Sequence, residues 1–262
     1  MERVTHDGRD TAYRTFDRGG SGPTVCFVHG SGGSKDVWKA QARLSDRFPT
    51  VALDLSGPGA SDDGAVADGP AALDAYADDA VAVAEATGAT VLCGNSLGGA
   101  VALRAALDRD LALDGLVLAG TGAKLTVAEP LLDALAADFD RAIDLLHEPN
   151  RLFHDAPAEY TDLSRAQMRE CGRAVTERDF CACHTFDVRD RLGEVATPSL
   201  AVVGEHDELT PPSSHDYLAE HLPNCERATI EGAAHLAMLE RPVAFNAALS
   251  SFLARCAEGS GE

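Results

Sequence analysis

The chain has 262 residues, enough for one α/β domain carrying an insertion, and an apolar fraction of 45% that can supply a sizeable core. Asp and Glu number 42 against 22 Lys and Arg, a formal net charge of −20, and the only lysines are Lys35, Lys39 and Lys124. Such an acidic, lysine-poor surface excludes nucleic acid and anionic membranes as partners.

Taken in chain order, short apolar runs alternate with longer Ala-rich segments. Residues 1–20 are charged and lack an apolar signal region, and no apolar run approaches the length of a membrane span, so a soluble cytoplasmic protein is expected. Residues 24–29 (T-V-C-F-V-H) read as a buried strand ending at Gly30, and Thr50–Leu53 as another ending at Asp54. A helix is expected over 73–87, stopping at Gly88. Strands follow at 90–93 and 113–119, with a helix over 97–107 between them. The last part offers a strand at 200–204, a helix at 213–222, a short strand at 227–230 and a closing helix at 243–256. This alternation predicts an α/β fold whose mainly parallel central sheet carries helices on both faces.

Residues 124–194 break the rhythm. They hold helical patterns, over 131–146 and 162–171, and no convincing strand. The expected organisation is a core of residues 1–123 plus 195–262, with 124–194 inserted as a helical cap. The Gly/Ser/Glu-rich tail at 257–262 is expected to fray. No internal repeat or linker argues for a second independent domain. Seven cysteines, odd in number and irregular in spacing, point to a reducing compartment; Cys26, Cys93 and Cys225 lie in or beside apolar runs, as small hydrophobes do. A surface of this charge repels itself at low salt and is screened at high salt, so adaptation to a very saline cytoplasm is expected.

The chemistry is carried by Gly94-Asn95-Ser96-Leu97-Gly98-Gly99, which contains G-x-S-x-G between a strand and a helix. In a nucleophile elbow this sharp turn lifts a serine hydroxyl above the sheet, and the glycines are there because side chains would strike the backbone. Ser96 needs a base and an orienting acid, which follow the elbow in the order acid, histidine. Asp207 stands after the strand at 200–204, in Gly204-Glu205-His206-Asp207, and His235 stands after the last short strand, in Gly232-Ala233-Ala234-His235. Glu205 and Glu208 are the alternative acids. A developing oxyanion needs donors: the backbone N–H of Leu97 is one, and Ser31, with Gly32 next, is the other choice, in the loop His29-Gly30-Ser31-Gly32-Gly33. His29 is expected to be a packed, hydrogen-bonded scaffold residue. Cys181-Ala182-Cys183-His184 lacks a second ligand pair at a suitable distance, so no metal is expected there, nor any cofactor. Trp38, Phe139, Phe153, Phe180 and Phe186 are either lining for an acyl pocket or ordinary core.

Five segments in this order, H-G-S-G-G (29–33), D-L-S-G-P-G-A-S (54–61), G-N-S-L-G-G (94–99), G-E-H-D-E-L-T-P-P (204–212) and G-A-A-H-L-A-M-L-E-R-P (232–242), resemble the α/β-hydrolase superfamily over nearly the whole chain. The resemblance implies a Ser-Asp-His hydrolase with a helical cap, acting on a small molecule and needing no cofactor. Pro58 departs from the histidine that relatives carry in the second segment. Within that superfamily epoxide and haloalkane hydrolysis use an aspartate at the elbow, so Ser96 argues against both. Asn95 resembles the carbon–carbon hydrolases of ring-cleavage products, but Leu236 stands where those carry an aromatic residue. A carboxylic ester or lactone hydrolase ranks first, then carbon–carbon hydrolysis, then a ligand-binding signalling protein with a retained triad. The oligomeric state is not legible.

Overall fold

The computed structural model describes residues 1–64, 66–67 and 69–259. They form an eight-stranded sheet in the order β1-β2-β4-β3-β5-β6-β7-β8. The strands are β1 (Glu2–His6), β2 (Arg9–Phe16), β3 (Val25–Val28), β4 (Thr50–Leu53), β5 (Val91–Asn95), β6 (Gly115–Ala119), β7 (Ser199–Gly204) and β8 (Cys225–Ile230). β1 and β2 pair antiparallel, as do β2 and β4, and every other neighbouring pair is parallel. The inner parallel strands read as short apolar runs because they are covered on both faces, whereas the edge strand β8 is largely exposed. Val25, Phe27, Val91, Cys93 and Val117 face one layer, and Cys26, Val28, Leu92, Leu116 and Leu118 the other.

The β1–β2 hairpin escapes the apolar-run criterion because β1 is largely exposed and charged, which keeps a sheet edge from pairing with other chains. Its signal is the turn Asp7-Gly8, both at positive φ (45° and 76°), the backbone a tight hairpin demands.

The helices are α1 (Pro70–Thr87), α2 (Leu97–Asp108), α3 (Glu129–Ala137), α4 (Phe139–Leu146), α5 (Ala158–Cys171), α6 (Arg173–Thr185), α7 (Pro212–His221), the short α8 (Ala237–Glu240) and α9 (Pro242–Gly259). α1 and α2 cover one face of the sheet with residues such as Tyr76, Val83 and Leu103. α9 covers the other with Phe245, Leu249 and Phe252, beside Trp38 of a 3-10 turn. The single helix expected over 131–146 is two. Asp138 leaves helical geometry (φ −144°, ψ 92°) and its carboxylate caps α4 by accepting the Arg141 N–H at 3.1 Å. An aspartate that satisfies an orphan N–H in this way starts a helix in preference to continuing one. α5 begins earlier than 162, and α6 lies outside the predicted helices; its buried residues include the polar Thr176, Arg178 and Asp179, so no apolar stripe announces it. α9 runs on to Gly259 where fraying was expected from 257, and 260–262 lie outside the described residues.

Candidate active site

The carboxyl ends of β3, β5, β7 and β8 all open on one side of the sheet, where open α/β sheets place their ligands. β5 ends at Asn95 and α2 starts at Leu97, leaving Ser96 alone between them at φ 55°, ψ −117°. This is a conformation that L side chains rarely adopt. The crowding explains the flanking glycines: a Cβ on Gly94 would strike the Gly98 carbonyl, and one on Gly98 the Val28 carbonyl. The elbow is pinned by its neighbours. Ser96 N–H donates to Ala119 O at 2.9 Å, and Thr121 Oγ1 donates to Ser96 O at 2.9 Å. Thr121 N–H in turn donates to His215 Nε2 at 3.2 Å. Burial pushes the His215 imidazole down to about 4, so the ring is neutral and can accept that bond.

Asp207 is buried and meets His235 Nδ1 through Oδ2 at 2.9 Å. A carboxylate only accepts, so Nδ1 carries the hydrogen and Nε2 keeps its lone pair. Asp207 also accepts from Leu209 N–H and Thr210 N–H at 2.9 Å and from Thr210 Oγ1 at 2.8 Å. Burial raises its pKa, but the His235 charge and hydrogen bond together with the Thr210 donors outweigh that and hold the carboxyl below its ordinary value. The His235 backbone is fixed on both sides: its N–H donates to Arg151 O at 3.2 Å and its carbonyl accepts from Asn95 Nδ2 at 3.4 Å. Glu240, buried, gathers the Ala234, His154 and Asp155 N–H groups at 2.7, 2.9 and 2.9 Å.

Ser96 and His235 line one cavity of about 750 Å³, together with Ser31, Gly32 and a wall of apolar side chains from α3 to α6 and the neighbouring loops. Among the described residues the Ser96 hydroxyl makes no hydrogen bond, and unliganded sites are often loose at this contact. An imidazole oriented by a buried carboxylate, beside a hydroxyl on an apolar cavity, is equipped for proton transfer to and from that hydroxyl.

Residues 27–248 match the model of the alpha/beta hydrolase family. The chain belongs to that family. Among curated relatives of this alpha/beta hydrolase, a putative carbamate hydrolase, RutD, of Agrobacterium fabrum is 30% identical over 88% of this chain and 93% of its own. A pimeloyl-[acyl-carrier protein] methyl ester esterase of Neisseria meningitidis is 32% identical over 87% and 93%. Among solved structures, a thermophilic esterase superposes with a TM-score of 0.85 at 31% identity over 97% of both chains. An N-acyl homoserine lactone degrading enzyme, Est816, superposes with 0.83 at 25% identity over 96% of this chain and 100% of its own.

The structure places the other residues singled out in this hydrolase as follows. Glu205 accepts from Gly232 N–H and Glu208 from Asn150 Nδ2, both at the surface, and neither bonds to His235. The Gly32 N–H donates to Asp179 at 3.3 Å, whereas no hydrogen bond among the described residues takes the N–H of Ser31 or Leu97. His29 is scaffold: buried and held neutral by that burial, it accepts from Leu55 N–H at 3.1 Å and pairs with Gly30 O at 2.8 Å. Of the five aromatic residues only Phe180 lines the cavity; Trp38 stacks on Phe27 at 4.8 Å in the core. Cys183 packs under Ser31, His184 Nδ1 accepts from Val127 N–H, and among the described residues no cluster of three His, Cys, Asp or Glu could hold a metal. Among those residues no helix is long and apolar enough to cross a membrane. Sequence reasoning missed His215, Thr121, Glu240 and Asp179. Glu240 lay inside a quoted motif, but the other three act through backbone groups far away in sequence and carry no local signature.

Proposed function

We propose that this alpha/beta hydrolase cleaves carboxylic esters or lactones through an acyl-enzyme. The observation that carries the reading is the Asp207–His235 pair opening, with Ser96, on one apolar cavity. His235 Nε2 takes the Ser96 proton as the hydroxyl oxygen attacks the ester carbonyl. The N–H groups of Ser31 and Leu97 stabilise the resulting oxyanion, and the imidazolium returns its proton to the leaving alcohol. Water, deprotonated by the same imidazole, then releases the acid and restores Ser96. Asp207 holds the tautomer and stabilises the imidazolium. The esterase and lactone-degrading enzyme among the similar structures support this choice of substrate class. Asn95, on which a carbon–carbon reading would rest, donates its amide to the Ala119 and His235 carbonyls, and Leu236 adds only apolar surface, so neither favours that reading.

The proposed division is a catalytic core of residues 1–123 and 195–262 with 124–194 as a helical cap; α3 to α6 fall within that insertion and furnish much of the cavity wall. Seven cysteines with no disulfide among the described residues fit a reducing, cytoplasmic setting, and the net charge of −20 fits a saline one.

Labelling with a fluorophosphonate and turnover of p-nitrophenyl butyrate test the reading together. Ser96→Ala is expected to abolish labelling and to lower kcat by about 10⁶-fold. Full turnover by that variant would sink the acyl-enzyme. Negligible wild-type turnover together with ligand-dependent capture of a protein partner would favour a signalling role.

A further inference from the structure

The loop at 30–34 is gripped by α5 and α6. Gly32 N–H donates to Asp179 Oδ2 at 3.3 Å, Ser34 Oγ donates to Gln167 Oε1 at 3.3 Å, and Ser31 Oγ lies 3.7 Å from Cys183 Sγ, one turn along α6 from Asp179. Asp179 is buried, and its other oxygen accepts the Tyr76 hydroxyl of α1 at 2.6 Å. That hydroxyl accepts from Arg178 Nε at 2.8 Å; Arg178 also donates to Ser56 O at 2.9 Å and pairs with Asp63 at 2.7 Å. A buried carboxylate is costly unless its lone pairs are satisfied. Here the satisfying donors come from two separate parts of the chain, one of them the backbone of the loop that carries Ser31. Gly32 itself sits at φ 67°, a conformation the loop must be held in.

We infer that Asp179 is a positioning residue for the oxyanion site: its anion takes the Gly32 N–H, and so fixes the peptide beside Ser31 and couples that peptide to α6. This inference rests on the hydrolase reading above. In it, Gly32 is not the second oxyanion donor, because its N–H is already engaged, and Ser31 N–H is.

The coupling has a pH signature. Burial pushes the Asp179 carboxyl up to about 6, against the Tyr76 hydroxyl, Arg178 and the Gly32 N–H, which favour the anion. The titratable or charged groups facing it are Tyr76 from α1, Asp63 from the loop before α1, Cys171 from α5, and Arg178 and Cys183 from α6. Protonation places a hydrogen on an oxygen that must accept, so the Gly32 bond slackens as pH falls through that value.

The test is kcat and KM for p-nitrophenyl butyrate against pH in wild type, Asp179→Asn, Asp179→Ala and Tyr76→Phe. In wild type, log kcat is expected to bend downward below about pH 6. In Asp179→Asn, a neutral side chain of the same shape as the protonated acid, that inflection is expected to disappear, with kcat lowered near neutrality because Gly32 keeps only a neutral acceptor. Asp179→Ala is expected to lower kcat about 10- to 100-fold with KM changed less than about two-fold. Tyr76→Phe removes a donor to the anion, so the inflection should move to higher pH. Should Asp179→Ala fail to fold, the Asn and Phe profiles decide. Superimposable wild-type and Asp179→Asn profiles, or wild-type kcat in Asp179→Ala, overturn the inference. If Ser96→Ala abolishes turnover while these profiles coincide, only this inference fails; if Ser96→Ala leaves turnover intact, the hydrolase reading fails with it.

Discussion

The floor and the roof of the cavity are built by different physics. The floor consists of loops at the carboxyl ends of β3, β5, β7 and β8. There, backbone geometry sets each position: Ser96 at positive φ, glycines that admit no Cβ, and carboxylates that gather N–H groups. The roof consists of α3 to α6, and its contribution is mainly apolar surface, from residues such as Leu131, Leu146, Met168 and Phe180. A backbone constraint is met by one or two residue types, whereas an apolar wall is met by many of similar size. Substitutions in the floor should therefore act on the rate of reaction nearly all or none. Those in the roof should shift which substrate is preferred, in graded steps. Asp179 and Gln167 are exceptions that join the two, roof residues bonded to the floor loop at 30–34.

The largest effect that could break this contrast, after loss of Ser96 itself, is Asp207→Asn. The Asn amide would present a donor to Nδ1 and favour the wrong tautomer, so kcat should fall about 10⁴-fold with KM little changed. A drop of only a few-fold would mean that the pair at 2.9 Å does not orient the base. The ordinary carboxylate is also displaced here in a definite direction. Because the Asp207 pKa is held low in the fold, its contribution to stability is present above its unfolded value and is lost as pH falls through the folded one. Acid unfolding of Asp207→Asn should accordingly start from a lower stability near neutrality and lose less of it on acidification.

A smaller effect is expected from Phe180→Ala on the roof. Enlarging the wall should raise kcat/KM for a decanoyl over a butyryl ester by about 10-fold, since a methylene or two in an apolar pocket discriminates on that scale. Equal losses on every chain length would place Phe180 with the floor and weaken the distinction.

The same contrast explains what was legible. Ser96, Asp207, His235 and the loop at 29–33 could be read from the sequence because each occupies a turn where glycine or a fixed spacing is obligatory, and the buried parallel strands announce themselves as apolar runs. α6 could not, since its inward face carries Thr176, Arg178, Asp179 and Cys183 in place of an apolar stripe. The break at Asp138 was hidden because the apolar periodicity runs across it, and the cap that makes the break is a single side-chain bond. His215 was read only as part of a helix, and its bond to Thr121 spans 94 positions. Long-range polar contacts of that kind leave no periodicity to find.

The smallest effect concerns charge, which floor and roof share. Salt acts in two opposite ways. It weakens partly exposed pairs such as Arg104–Asp74 at 2.9 Å and Arg165–Asp144 at 2.6 Å, which contribute little to stability. It also screens repulsion among carboxylates, and even if every one of the 22 Lys and Arg were paired, 20 of the 42 acids would remain unmatched. The screening length falls from about 10 Å at 0.1 M to about 3 Å at 1 M, so the repulsive term should dominate. The thermal midpoint is therefore expected to rise by on the order of 5 °C between dilute buffer and molar KCl. The Tyr76–Asp179–Arg178 contacts that hold α6 against α1 are buried, and buried pairs are screened least. Ester turnover should then be maintained, or rise, along the same salt series. A flat or falling midpoint would remove the case for a saline setting, while a rising midpoint with collapsing turnover would show that the roof is held on by exposed charges after all.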